Sequence, residues 1–208
     1  MCTWVRLRAE SLLTGLLCVC NVAEVKPTRT HSFVAVAAAL AAIALPIAAA
    51  GTAAAADTCP TTAPTGGTPD WTLTGATGSV AVTGSTDTAA PRVDVSAPFS
   101  VTSTQVHTLQ AGNGPVVPGT AKVSVCYMGV NGRDGSVFDS SYKRGAPVDF
   151  PLDGVIPGFQ KAIAGQTVGS TVAVAMTSAD GYPDGQPSAG IRPGDTLVFA
   201  IKILGASG

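Results

Sequence analysis

Residues 127–165 read YMGVNGRDGSVFDSSYKRGAPVDFPLDGVIPGFQKAIAG and hold the clearest structural signals of this 208-residue chain. Two turn dipeptides, Asn-Gly at 131–132 and Asp-Gly at 134–135, follow a run of alternating apolar residues. A further apolar run begins at Val137, and another covers Val148–Leu152. Short apolar runs separated by tight turns predict strands of an antiparallel sheet.

The same stretch contains one helical signal. Pro157–Ala164 predicts a short helix, because proline suits the first turn and Phe159 and Ile163 lie four residues apart on one face. Gly165 is expected to end this helix.

Strand signals continue on both sides. Ala121–Met128 alternates between apolar and mixed positions, Thr171–Met176 alternates again, and Thr196–Leu204 closes the chain. The 24 glycines and 15 prolines favour turns and short strands over long helices. We therefore predict an α+β fold, a curved antiparallel β-sheet with one short α-helix packed across its concave side.

The N-terminal region has the layout of a secretory signal peptide. The apolar run Phe33–Gly51 follows the basic residues Lys26 and Arg29, and alanines lead up to a cleavage site predicted near Ala56–Asp57. The alternative is an uncleaved membrane anchor, since the run is nearly long enough to span a bilayer. We expect export to the cell envelope or the medium.

Residues 1–24 lie upstream of this signal, whereas a signal peptide is expected close to the chain start. Either translation begins at Val22 or Val25 through a non-ATG start codon, or the n-region is unusually long.

The chain divides into three predicted segments. Residues 1–56 form the N-terminal extension and signal peptide, 57–90 a Thr/Gly/Pro-rich linker, and 91–208 the folded domain. Within the linker, residues 71–90 either add strands or stay loose.

Three of the five cysteines, Cys2, Cys18 and Cys20, precede the predicted cleavage site, and Cys59 and Cys126 follow it. An exported pair can form a disulfide. Cys126 is equally well interpreted as a small buried strand residue.

The charge and the histidine content of the sequence argue against several classes of function. The net charge of −1 and the absence of a basic patch argue against nucleic-acid binding. After the predicted cleavage site the only histidine is His107, which we interpret as a surface strand residue. This argues against a histidine metal site and against Ser-His-Asp catalysis. We predict no metal and no cofactor.

The aromatic residues of the last third come from separate predicted elements. Each could simply fill the core, and together they could line one apolar pocket. The set is Tyr127, Phe138, Phe159, Tyr182 and Phe199.

With their neighbours, these residues resemble the FKBP-type peptidyl-prolyl cis-trans isomerases over about Val123–Leu204. The matching blocks, in order, are Tyr127-x-Gly129, Gly135-x-Val137-Phe138-Asp139-Ser140-Ser141, Val155-Ile156-Pro157-Gly158-Phe159, Gly181-Tyr182 and Leu197-Val198-Phe199.

The resemblance implies a proline-binding site. Its pocket would be lined by Tyr127, Phe138, Val148, Val155, Ile156, Phe159, Tyr182 and Phe199. Asp139 would lie at the edge near Arg144, and Ile191 would belong to a loop that closes over the pocket. The catalytic contacts would come from Asp139, the Ile156 N–H and the Tyr182 hydroxyl. The alternative role for Asp139 is a turn or cap residue.

The expected activity is cis-trans isomerisation of X-Pro bonds in exported proteins. The partners implied are proline-containing polypeptides and macrolide inhibitors of the rapamycin type, with the protein acting as a monomer. Two departures from the family pattern, Phe159 where tryptophan is usual and Val148 where an aromatic is common, favour an alternative. In that alternative the fold is a peptide-binding or chaperone module with weak catalysis.

Overall fold

The computed structural model describes residues 58–208. The predicted signal peptide and the three cysteines upstream of it lie outside the described residues. Across 58–208, none of the helices is long and apolar enough to cross a membrane.

The first three strands form a small antiparallel sheet, which we call the outer sheet. Its strands are β1 (Trp71–Thr74), β2 (Thr77–Thr83) and β3 (Arg92–Ser100), in that spatial order. Of the two alternatives for residues 71–90, the structure has the strands. The outer sheet therefore crosses residue 91, where the predicted linker meets the predicted domain. The division into three segments stays a prediction.

The other six strands form the main sheet, and every strand pair in it is antiparallel. The strands are β4 (Gln105–Gln110), β5 (Lys122–Asn131), β6 (Val137–Ser140), β7 (Val148–Pro151), β8 (Thr171–Met176) and β9 (Leu197–Ser207). The spatial order is β4-β8-β9-β5-β6, and β7 pairs with the first half of β5. The register with β9 shifts between Ser124 and Val125, where Leu204 of β9 is the extra residue of a bulge, and this bulge adds local twist to the longest strand pair.

Two helices connect the strands around the sheet. Helix α2 (Pro157–Ile163) agrees with the predicted helix to within one residue. It approaches β8 closely, since a Cβ at Gly158 would lie 2.6 Å from the sulfur of Met176. Helix α1 (Ser141–Arg144) was not predicted. The predicted α+β fold, a curved antiparallel sheet around a short helix, is confirmed.

Both faces of the main sheet are covered. On one face, Val172 and Val174 of β8 join a core cluster with Phe159 and Ile163 of α2. On the other face, Ala173 and Ala175 of β8 pack against the outer sheet through buried residues such as Val80 and Phe99. Every residue of β8 is therefore buried, because alternate side chains enter two different cores.

A disulfide joins Cys59 to Cys126, with the two Cα atoms 5.7 Å apart. Around it, the buried ring of Tyr142 packs in a small third cluster on the outside of β5. The N–H of Cys59 also donates to the carbonyl oxygen of Gly145 at 3.2 Å. The segment that precedes the outer sheet is thus attached to the strand that carries Tyr127.

Candidate functional site

A pocket of about 310 Å³ opens on the α2 side of the main sheet. Its volume lies at the lower end of the range for small-ligand sites, which is about 300–1,000 Å³. Eleven residues line it: Tyr127, Phe138, Asp139, Val148, Phe150, Gly154, Val155, Ile156, Phe159, Tyr182 and Phe199. Most of this lining is aromatic or aliphatic, as expected for a site that binds an apolar group.

Phe159 of α2 forms the floor of the pocket. Its ring meets Phe199 at 5.0 Å, Tyr127 at 5.6 Å and Phe150 at 5.6 Å between centroids, each in an edge-on arrangement. Phe138 extends the set, because its ring meets Phe199 edge-on at 5.5 Å. Edge-to-face packing of this kind holds the rings in fixed orientations.

Gly129 makes room for two of these rings. It lies two residues after Tyr127 on β5, on the same face, and it pairs with Phe199 of β9. A Cβ at Gly129 would lie 2.7 Å from the rings of both Phe138 and Phe199. Any side chain here would displace the aromatic wall, which explains the physical need for glycine in the Tyr-x-Gly block.

One edge of the pocket is polar. The hydroxyl of Tyr127 donates a short hydrogen bond to Asp139, and Arg144 Nη1 donates to the other carboxylate oxygen at 2.5 Å. Arg144 Nη2 also donates to the Tyr127 hydroxyl oxygen at 3.2 Å. These three side chains form a closed polar triangle beside the apolar floor.

The triangle fixes the protonation of its members. Burial alone would raise the pKa of Asp139, but the hydrogen bonds from Tyr127 and Arg144 outweigh it and hold that pKa below its usual range. Burial, together with the hydrogen bond to Asp139, raises the pKa of the Tyr127 phenol. At neutral pH the site therefore holds a carboxylate, a guanidinium and a neutral phenol.

Two hydrogen-bond donors at the pocket are free. Ile156 is the N-cap of α2, and its carbonyl oxygen accepts from the N–H groups of Phe159 and Gln160 at 3.0 and 3.2 Å. Within residues 58–208, neither the N–H of Ile156 nor the hydroxyl of Tyr182 has a hydrogen-bond partner. Both donors can therefore bind carbonyl oxygens of a peptide.

Ser141 positions the strand under the site. Its side chain is fully buried, and its hydroxyl oxygen accepts from the N–H of Tyr127 at 2.8 Å. The same hydroxyl lies 3.4 Å from the sulfur of Cys59. Helix α1 itself is capped by Ser140, whose side chain accepts from the N–H of Lys143 at 3.3 Å. The N-cap of α1 is thus Ser140, and the Asp139 side chain bonds Tyr127 and Arg144 instead of capping the helix.

Nine of the predicted site residues line this pocket. Arg144 lies just outside the lining and reaches it through Asp139. Ile191 is also outside: its side chain is only 2% exposed and packs in the core cluster. The role of each residue in binding stays a prediction.

Phe150 and Gly154 line the pocket but were not predicted. The signal for Phe150 was present, because it lies two residues after Val148 in a predicted strand and therefore shares its face. Gly154 ends the 3₁₀ turn Leu152–Gly154, and no pattern in the sequence indicates that turn.

The loop between β8 and β9 carries Tyr182, and a buried carboxylate holds its far end. Asp195 has a side chain only 7% exposed. It accepts from Asn131 Nδ2 at 2.7 Å, from Arg133 Nε at 3.3 Å and from the N–H of Arg192 at 2.9 Å. Burial alone would raise the pKa of Asp195, but these donors outweigh it and lower that pKa.

Comparison with known proteins places this site in a family. Residues 112–204 match the model of the FKBP-type peptidyl-prolyl cis-trans isomerase family. The chain is similar to an FK506-binding protein of Streptomyces anulatus, with 32% identity over 117 residues that cover 55% of this chain and 94% of the relative.

It is also similar to an FKBP-type 22 kDa peptidyl-prolyl cis-trans isomerase of Escherichia coli (strain K12), with 38% identity over 100 residues. The match covers 48% of each protein, so the chain spans about half the length of this relative. A crystal structure of FkpA from Escherichia coli is similar at 34% identity and a TM-score of 0.47, over 50% of this chain and 48% of that one. The Streptomyces relative is matched over nearly its whole length, and the chain therefore belongs to the family of FKBP-type peptidyl-prolyl cis-trans isomerases.

Proposed function

We propose that this protein is an exported peptidyl-prolyl cis-trans isomerase that binds the proline of X-Pro segments in the pocket above Phe159. The observation that carries the proposal is the joint presence of an aromatic pocket and two unpaired donors beside it. Family membership supports the same reaction class.

The reaction needs neither a base nor a nucleophile. Rotation about an X-Pro bond crosses a barrier of about 18–20 kcal/mol, because twisting destroys the resonance of the amide. The planar amide is more charge-separated than the twisted one, so a pocket that excludes water disfavours the planar ground state. An apolar site without histidine is therefore consistent with this chemistry.

The roles of the polar groups follow from their positions. The N–H of Ile156 and the hydroxyl of Tyr182 would bind carbonyl oxygens of the peptide while the bond between them rotates. Asp139 would keep the Tyr127 ring in place through its hydrogen bond and would set a negative potential at the pocket edge. No covalent bond forms or breaks in this scheme.

The proposed clients are proline-containing segments of secreted or envelope proteins. The support is the signal-like sequence at 33–56 and the disulfide, since disulfides persist in oxidising compartments. A monomer and inhibition by rapamycin-type macrolides belong to the same proposal. N-terminal sequencing of the exported protein tests export: a mature end near Asp57 supports it, and an intact N-terminus favours the membrane anchor instead.

The activity is tested by cis-to-trans exchange of a short Leu-Pro peptide with the purified protein. The wild type should accelerate exchange, and Asp139→Val should lower kcat/KM by roughly tenfold, because it leaves Tyr127 and Arg144 without their acceptor. Asp94→Val is a matched control, since Asp94 also pairs with an arginine but lies on the outer sheet. Equal loss in both variants would remove Asp139 from the site.

A second candidate is a peptide-binding module with little catalysis. Val148 favours it, because a small half-buried side chain on the wall leaves the pocket more open than an aromatic would. Binding of the Leu-Pro peptide without acceleration of its exchange would select this candidate over the isomerase.

A further inference from the structure

Asp180 is a carboxylate next to the site that has no role in the scheme above. It ends the 3₁₀ turn Ser178–Asp180 and lies two residues before Tyr182. Its side chain does not line the pocket, yet it is only 19% exposed. Such a carboxylate requires partners, since burying an unpaired charge is costly.

Three hydrogen bonds converge on this carboxylate. Lys161 Nζ donates to its two oxygens at 2.8 and 2.7 Å. The hydroxyl of Thr104 donates to Oδ2 at 2.5 Å, and the N–H of Thr177 in turn donates to that hydroxyl oxygen at 3.3 Å. The carboxylate is therefore held by two different parts of the chain.

These partners lie on two other elements of the fold. Lys161 lies on α2, two residues after the floor residue Phe159 and five after Ile156. Thr104 lies in the connection between β3 and β4. Asp180 thus links the helix that forms the floor to the loop that supplies the Tyr182 hydroxyl.

The chain between Asp180 and Tyr182 is short. Only Gly181 separates them, and its N–H donates to the carbonyl oxygen of Ser178 at 3.0 Å. On the other side, the N–H of Gly185 donates to the carbonyl oxygen of Tyr182 at 3.0 Å. A shift of Asp180 relative to α2 would therefore be passed directly to Tyr182.

We propose that Asp180 is a positioning residue, which through Lys161 and Thr104 sets the location of the Tyr182 hydroxyl relative to the floor and to the Ile156 N–H. This inference rests on the proposed function and adds a residue outside the pocket to it. The carboxylate is needed because an amide at this position offers only one acceptor oxygen and turns its NH₂ donors toward the ammonium or the hydroxyl.

The test is a double-mutant cycle between Asp180 and Tyr182, read as kcat/KM on the Leu-Pro peptide. Asp180→Asn alone should lower kcat/KM by about two- to threefold, and by no more than Tyr182→Phe does. In the Tyr182→Phe background the same change should have little further effect, because the hydroxyl that it positions is gone. A general structural role would instead lower kcat/KM equally in both backgrounds, and that result would overturn the proposal.

Lys161 supplies a second pair of variants that leave Asp180 intact. Lys161→Met should reproduce the loss, whereas Lys161→Arg should retain most of the activity, because arginine can still donate to both oxygens. Lys161 is 57% exposed, so these variants are expected to fold. Asp94→Asn, which removes a carboxylate from an ion pair on the outer sheet, should behave as wild type.

The outcomes separate the two proposals. A wild type that does not accelerate exchange contradicts the proposed function, and this inference falls with it. If the wild type is active but Asp180→Asn and Lys161→Met both have the same kcat/KM as Asp94→Asn, only the positioning role is overturned. Hydrogen exchange at Gly181 and Gly185, measured in the free protein, should become faster in Asp180→Asn; unchanged exchange would also count against the role.

Discussion

The ring of Phe159 meets the ring of Phe199 edge to face, with 5.0 Å between centroids. One ring comes from helix α2 and the other from β9, so this contact joins the helix to the sheet at the bottom of the pocket. The depth and shape of the pocket therefore depend on how α2 packs against β9. The side chains of the pocket wall then determine how tightly a proline ring is enclosed.

Val148 is the position on the pocket wall at which a larger side chain should strengthen peptide binding. Val148→Phe should leave the protein folded and should tighten binding of the Leu-Pro peptide about two- to fivefold, because the larger side chain adds apolar contact area. Isothermal titration of the peptide measures this change.

Val106→Phe is the matched control, since Val106 is 39% exposed on β4 and does not line the pocket. Weaker binding by Val148→Phe, or an equal effect of the two variants, would contradict the assignment of Val148 to the pocket wall.

The Tyr182 hydroxyl should contribute less than Asp139. Tyr182→Phe removes one hydrogen bond to the peptide, which corresponds to about a threefold loss in kcat/KM. Asp139→Val should cost more, since it leaves both the half-buried Tyr127 hydroxyl and the exposed Arg144 guanidinium without their acceptor. Steady-state turnover on the Leu-Pro peptide ranks the variants. Unchanged turnover in both would remove these residues from the site.

Asp195 should make folding stability depend on pH. Its pKa is lowered in the folded protein, so the unfolded chain binds the proton more readily. Its contribution is then fully present above the unfolded pKa of about 3.9, and it is lost as pH falls through the lower folded value.

Urea unfolding of wild type and Asp195→Asn measures this contribution at several pH values. The variant should lose about 1–3 kcal/mol at pH 7, because a buried charged acceptor is replaced. The difference between the two proteins should shrink below about pH 4. A difference that is constant from pH 7 to pH 3 would exclude this role for the Asp195 carboxylate.

The disulfide between Cys59 and Cys126 should stabilise the fold substantially. The two cysteines are 67 residues apart, and closing a loop of that length restricts the unfolded chain by on the order of 4 kcal/mol. Unfolding of the Cys59→Ser/Cys126→Ser variant in urea gives the loss directly. A loss well below 1 kcal/mol would show that the bond contributes little beyond the local packing around Tyr142.

The main sheet and α2 were predictable because their signals are local. Alternation at Thr171–Met176 and the proline and glycine that bound α2 are visible within a few residues of sequence. Most of the pocket lining was predicted from the family resemblance. Phe150 could have been predicted without it, because the two-residue period of β7 places Phe150 on the same face as Val148. Ile191 was placed at the pocket from the resemblance; its side chain packs in the core cluster that also contains Phe159 and Phe199, and its role in binding stays a prediction.

The remaining features depend on contacts between distant parts of the chain. Asp180 meets Lys161 across 19 residues, and Asp195 meets Asn131 across 64, so no spacing rule connects them. The four-residue helix α1 is too short to show a helical period. From the sequence, Cys126 could either pair with Cys59 or be a small buried strand residue. The structure has the disulfide, because the fold brings the two cysteines together.

Catalysis at this pocket is tested most directly by cis-to-trans exchange of a Leu-Pro peptide with the purified protein, with and without rapamycin. We expect the protein to make this exchange much faster than the uncatalysed process, which takes on the order of 10–100 s. We also expect the macrolide to abolish this acceleration by occupying the pocket above Phe159. A folded sample that leaves the exchange rate unchanged would contradict catalysis, and an acceleration that rapamycin leaves intact would contradict the assignment of the reaction to this pocket.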